Sequence, residues 1–138
     1  MDKIKQLFLL ALSTLTLYSA AAVYEKTVFA EWDKPSINVF YVLPQEVNDQ
    51  TEILFIIHGN SRNADGYIEV WANHAKDKNI ILIAPEFSRS KFSNYNTLQM
   101  SSSTGTILKN RDLYLNNSID IMFNHYKNLF GVKTDLYK

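Results

Sequence analysis

The stretch that decides the fold is Phe55–Tyr67, "FIIHGNSRNADGY". An apolar run stops at His58-Gly59, and a polar segment suited to starting a helix follows at once. Either this is an ordinary strand-to-helix turn, or its backbone amides face a ligand. Upstream, Ile53–Ile57 ("ILFII") is apolar at every position, the pattern of a strand covered on both faces in a parallel sheet. Downstream, Ala64, Tyr67, Ile68, Trp71, Ala72 and Ala75 fall at i, i+3, i+4, i+7, i+8 and i+11, one face of a helix. Ser61 or Asn63 is placed to cap its start, and Lys76-Asp77-Lys78-Asn79 supplies cations and an Asn at its end. A second all-apolar strand follows at Ile80–Ala84, "IILIA". Strand, helix and strand within about 30 residues make a βαβ unit, nearly always right-handed. Two buried strands in such a unit predict an α/β layered fold with helices on each face.

Working outward toward the N-terminus, Tyr24–Trp32 is rich in aromatic and β-branched residues and reads as an early strand. Pro35 interrupts it. Ser36–Leu43 then places Ile37, Val39, Tyr41 and Leu43 at period two, and Pro44–Thr51 is a polar turn. Toward the C-terminus, Pro85–Asp112 is a long polar stretch containing "SRSKFSNYN" and "MSSSTGT", the composition of a functional excursion or a poorly ordered loop. Leu115, Ile119, Met122, Phe123, Tyr126 and Leu129 or Phe130 mark another amphipathic helix, closed by Gly131. "KTDLYK" is placed to open a further strand.

Residues 1–22 read as a secretory signal peptide and 23–138 as one small domain. Lys3 and Lys5 precede a largely apolar run, Leu7–Tyr18, and Ser19-Ala20-Ala21-Ala22 offers small residues for cleavage after Ala22. The rival is an uncleaved N-terminal anchor, since no charge falls between Lys5 and Glu25. The run is short and diluted by hydroxyls against the roughly 20 apolar residues a span needs. The expected location is secreted or periplasmic. Fourteen basic and fourteen acidic residues cancel, with no cationic cluster to attract nucleic acid. The chain has no Cys, which excludes disulfides, thiolate metal sites and Cys nucleophiles.

The order of elements around "FIIHGNSRNADGYIEVWANHAKDKNIILIAPEF" resembles the N-terminal half of an α/β-hydrolase, of the esterase and polyhydroxybutyrate-depolymerase-like branch. The similarity runs from about Ser36 to the C-terminus. It implies a partial α/β-hydrolase sheet, with antiparallel N-terminal strands followed by a parallel βαβ unit, incomplete at the C-terminus. In that family a His-Gly pair ends the third strand, and the loop after it gives a backbone N–H to the oxyanion hole. Carried over, Asn60 would be an oxyanion donor, Gly59 would allow close backbone approach, and His58 would hold the loop by ring hydrogen bonds and not act as the catalytic base. The residues by themselves leave open that Gly59 merely ends a strand and Asn60 begins a turn.

An α/β-hydrolase also needs a Ser on a G-x-S-x-G elbow, then an acid, then a His. The glycines are Gly59, Gly66, Gly105 and Gly131, and no two stand four apart. In the family the elbow follows the strand that "TDLYK" would begin, so the resemblance implies a chain ending before its nucleophile. The expected class is a carboxylic-ester hydrolase that is inactive as this chain alone; Ser61 is the first alternative nucleophile. Its partner would be a small acyl-ester-type substrate once the missing half is supplied, with no nucleic acid and no stable membrane partner after signal cleavage. The alternative function is a small exported non-enzymatic α/β module that binds through the polar loop.

Other constellations are weaker. His58, His74 and His125 lack zinc-ligand spacing, and no phosphate-binding glycine loop is present, so neither metal nor cofactor is expected. His74 beside Trp71 and His125 beside Tyr126 read as packing residues. Asp112 and Asp120 read as helix-start or solvent-facing acids, and Ser101-Ser102-Ser103 as a solvated loop. Arg62 and Asn63 either touch a substrate at the pocket rim or serve as capping and surface residues.

Overall fold

The computed structural model describes residues 24–97, 101–102, 104–107, 114–135 and 137–138. The signal-peptide and anchor expectations, Ser103 and Asp112 lie outside the described residues. The elements are β1 (Glu25–Phe29), β2 (Ile37–Val42), β3 (Glu52–Phe55), α1 (Ala64–Lys76), β4 (Ile80–Glu86) and α2 (Tyr114–Phe130), with a single 3₁₀ turn at Tyr95–Thr97. They form a mixed sheet in the order β1-β2-β4-β3. β1 runs antiparallel to β2, and β2 antiparallel to β4, while β3 and β4 are parallel and joined through α1. No helix among the described residues is long and apolar enough to cross a membrane.

The sheet separates two apolar layers. On one face Ala64, Ile68, Ala72 and Ala75 of α1 meet Phe40, Val42, Leu82 and Ala84. The three alanines let the helix lie close to the strands. On the other face Leu115, Met122, Phe123 and Tyr126 of α2 pack over Ile37, Val39, Ile53, Ile81 and Ile83. β2 therefore buries residues on both sides, Phe40 and Val42 as well as Ile37 and Val39. Its period-two reading captured only one face. Tyr67 and Trp71 belong to the predicted stripe of α1, yet they are 39% and 48% exposed. One helix covers about two strands, and these two positions fall beyond the strip that α1 buries. α2 ends where expected, with Gly131 in the left-handed region (φ 68) that a glycine adopts without strain.

The end of β3 has a cause written on its neighbour. The Ile56 N–H donates to the Ile83 carbonyl at 2.8 Å. In a parallel ladder the Ile56 carbonyl would next accept the N–H of residue 85. Residue 85 is proline and has none. The pairing stops there, so "ILFII" is not strand to its end, and Ile57 is 44% exposed instead of covered on both faces. β4 itself runs two residues beyond "IILIA", through Pro85 and Glu86.

Past β3 the sheet gains another parallel neighbour. Ile53 bridges Tyr137, the Phe55 N–H donates to the Lys138 carbonyl at 2.9 Å, and the Lys138 N–H to the Ile53 carbonyl at 3.1 Å. Tyr137 rests against Phe55 and Phe123, with ring centroids 5.6 and 5.1 Å away. Of the segment "KTDLYK", Tyr137 and Lys138 thus pair with β3, in its direction.

Candidate functional site

Released from the ladder, the chain after Ile56 turns tightly. The Arg62 N–H donates to the Gly59 carbonyl at 3.2 Å, and Arg62 itself takes a left-handed backbone (φ 62) before α1 begins. Asn63 occupies the N-cap position of α1 without a side-chain capping bond, and Ser61 is exposed in the turn. A Cβ added at Gly59 would stand 3.4 Å from the Tyr67 hydroxyl. That is an ordinary van der Waals contact, so Tyr67 leans over the turn without requiring a glycine beneath it.

His58 is 2% exposed and both ring nitrogens are engaged. Nε2 accepts the Phe87 N–H at 2.9 Å, so the ring proton is on Nδ1, which lies 2.9 Å from the Gly59 carbonyl. The Tyr95 hydroxyl donates to the His58 carbonyl at 2.6 Å, and the Tyr95 ring lies 4.7 Å from the imidazole. Burial pushes the His58 imidazole below its ordinary value of 6.5; the Arg62 charge acts the same way, against the Gly59 carbonyl and Glu86. A neutral ring with both nitrogens bonded has no site left to receive a proton from a nucleophile.

Arg62 is where the structure departs furthest from the sequence. It is neither a rim nor a surface residue, being 7% exposed. Its Nη1 donates to the carbonyls of Phe87 and Phe92, the latter at 3.1 Å, and its guanidinium lies over the Tyr95 ring, 4.4 Å from the centroid. Its buried Nε has no partner among the described residues. The left-handed backbone turns the side chain inward under the turn. Nothing in the sequence around Arg62 signals this, because its partners lie 25 and more residues away.

Those partners correct a second expectation. The start of the predicted polar loop is packed structure: Phe87 and Phe92 are buried, and Phe87 stacks on Tyr95 at 5.1 Å and meets Phe92 edge-on at 5.3 Å. Asn60, by contrast, is exposed at the crest of the turn. Its carbonyl accepts from Arg89 Nη2 at 2.8 Å, and its N–H has no partner among the described residues.

The remaining candidates lie apart. His74 is exposed, 6.2 Å from the Trp71 ring, and with Leu54, Trp71, Ile80 and Leu82 it lines an apolar cavity of about 340 Å³ that no turn residue touches. His125 packs between Phe29 and Tyr126, at 5.3 and 4.9 Å. Asp120 accepts from the Tyr137 hydroxyl at 2.6 Å, Ser101 bridges Ile107, and the Ser102 N–H donates to the Thr106 carbonyl. Among the described residues no three His, Asp or Glu side chains are grouped to hold a metal ion.

No family model matches the chain, and no curated protein matches it in sequence. Solved structures do. Poly(aspartic acid) hydrolase-1 from Sphingomonas sp. KT-1 superposes with a TM-score of 0.70 and 30% identity, over 83% of this chain and 44% of that one. LpqC, a poly(3-hydroxybutyrate) depolymerase from Bordetella parapertussis, gives 0.63 and 15% over 79% and 39%. A thermostable esterase gives 0.51 and 16% over 83% and 32%. The chain spans less than half the length of each of these proteins. A mixed sheet in the order β1-β2-β4-β3 with a helix on each face, superposing on a hydrolase, a depolymerase and an esterase, makes the described residues part of an α/β-hydrolase fold.

Proposed function

We propose that this chain is the oxyanion-turn part of an exported carboxylic-ester hydrolase, whose nucleophile, acid and catalytic His are carried by polypeptide beyond these 138 residues. One observation carries the reading. β3 and the segment at Tyr137-Lys138 run side by side in the same direction, and the turn at His58–Asn60 stands at the end of β3 toward which both point. If the outer strand continued, a residue about six positions past Lys138 would stand level with Asn60. A nucleophile at that level would stand beside the turn whose Asn60 N–H has no partner among the described residues.

In this reading the Asn60 N–H stabilises the developing oxyanion, Gly59 allows close approach of the backbone, and His58 is structural support. The substrate is a small acyl-ester-type compound. Residues 1–22 direct export and are removed near Ala22.

The test is an assay with p-nitrophenyl esters. The 138-residue chain shows no turnover above background. The chain extended by the residues encoded after Lys138, through a G-x-S-x-G and its acid and His, is active. There Asn60→Pro, which removes the N–H, lowers kcat by about 10²–10³, the usual worth of one oxyanion donor. Turnover by the 138-residue chain itself, or an extended enzyme indifferent to Asn60→Pro, overturns the proposal.

A further inference from the structure

We infer that Arg62 is a positioning residue of the oxyanion turn, clamping the 87–95 segment beneath it and holding the His58 ring in the form that accepts the Phe87 N–H. The inference deepens the proposed function and rests on it for the word oxyanion; the clamp itself is testable without any activity. Arg62 is a cation buried with no carboxylate among its described partners. A buried charge without a counter-ion is unfavourable unless dipoles compensate it. The carbonyls of Phe87 and Phe92 and the face of Tyr95 do so here.

Two of these three partners, Phe87 and Tyr95, are joined to His58 as well. Phe87 donates its N–H to Nε2, and Tyr95 donates its hydroxyl to the His58 carbonyl. Arg62 and His58 therefore grip the same segment from the two ends of one tight turn, and Asn60 is suspended between them. A guanidinium suits this place because the two protons of Nη1 reach two carbonyls while the group lies over a ring. The charge has a second effect. The charged and titratable groups facing the His58 ring are Arg62 from the turn, Glu86 from the end of β4 and Tyr95 from the 3₁₀ turn, with Arg89 acting on Arg62. Of the charges acting on the ring, the Arg62 cation disfavours the imidazolium and Glu86 favours it. The imidazolium would carry a proton on Nε2 and so lose the Phe87 N–H bond.

The experiment is hydrogen exchange and imidazole ¹⁵N NMR on the full chain, with Arg62→Gln and Arg62→Lys. The Phe87 amide reports the clamp, and the Ile56 amide, bonded to Ile83 in the strand ladder, reports the fold. In Arg62→Gln the Phe87 amide should exchange at least about tenfold faster while Ile56 is unchanged. The His58 titration midpoint should move up. Arg62→Lys, which keeps the charge without the planar guanidinium over Tyr95, should leave the midpoint low yet still loosen Phe87. If Arg62→Gln unfolds the chain, Tyr95→Phe removes only the hydroxyl bond to His58, and it should loosen Phe87 in the same direction by a smaller factor. Unchanged Phe87 exchange and an unchanged His58 midpoint in the folded variants overturn the inference, as does a loss of protection equal at Phe87 and Ile56. Failure of the ester assay with these results intact would refute the hydrolase reading and leave the clamp standing.

Discussion

Replacing Phe87 by Ala asks whether the segment after β4 belongs to the core. Phe87 is 2% exposed and touches Tyr95, Phe92 and His58 through its ring, while its backbone bonds to His58 and Arg62 do not depend on the side chain. Truncating a buried Phe to Ala removes about 3–5 kcal/mol, counting transfer and the cavity left behind. The stacked and edge-on contacts are within that figure, each worth about 0.5–1.5 kcal/mol beyond area. Against a whole-domain stability of about 5–15 kcal/mol this is a large fraction. Phe87→Leu, which keeps most of the volume, should lose about 1–2 kcal/mol. Urea unfolding followed by tryptophan fluorescence is the assay. With a slope of about 1–3 kcal/mol per molar urea, the Ala variant's midpoint should fall by more than about 1 M at unchanged slope. A loss under about 1 kcal/mol for Phe87→Ala would refute the reasoning, because a ring packed on three others cannot be removed so lightly.

Stability should also depend on pH through His58. Its folded-state value lies below the ordinary 6.5, so on acidification below about pH 6.5 the unfolded chain takes up a proton that the native state refuses. The stabilising contribution is fully present above that pH and declines below it, down to the native value. His58→Gln should flatten this part of a stability–pH profile, and a wild-type profile with no His58-dependent slope just below pH 6.5 would contradict the buried neutral ring. Tyr126 buries a hydroxyl with no partner among the described residues, so Tyr126→Phe should be neutral or stabilising by up to about 1 kcal/mol in the same urea assay. A clear destabilisation would mean that the hydroxyl has a partner after all.

Much of the scaffold was legible because it obeys a period. "IILIA" and the Ala64-Ile68-Ala72-Ala75 stripe announce a buried strand and a helix close against a sheet, and both are found. The His-Gly turn was legible as a place, since an apolar run that stops dead must turn. What escaped is aperiodic. Phe87, Phe92 and Tyr95 are spaced by five and three among Ser, Arg, Lys and Asn, matching neither strand nor helix, so the stretch reads as a polar loop. Their burial is set by His58 and Arg62, far away in sequence. Arg62 escaped for the opposite reason: an arginine between Ser and Asn reads as solvent-facing, and only a tertiary ring and two distant carbonyls reverse it. Trp71 was misread by excess, because an amphipathic stripe marks which residues are apolar and not how wide a face the sheet covers.

Pro85 divides the interests of folding and of chemistry. Any residue with an amide at that position would offer the Ile56 carbonyl its bond and let β3 zip further along β4. By the ladder's own logic such a chain would gain sheet. It would do so by drawing Ile57 and His58 into register, flattening the bend that lifts Asn60 clear of the strands. A neighbouring strand that withholds one hydrogen bond thus favours the turn, and selection for a more stable sheet would act against the feature on which the proposed activity depends.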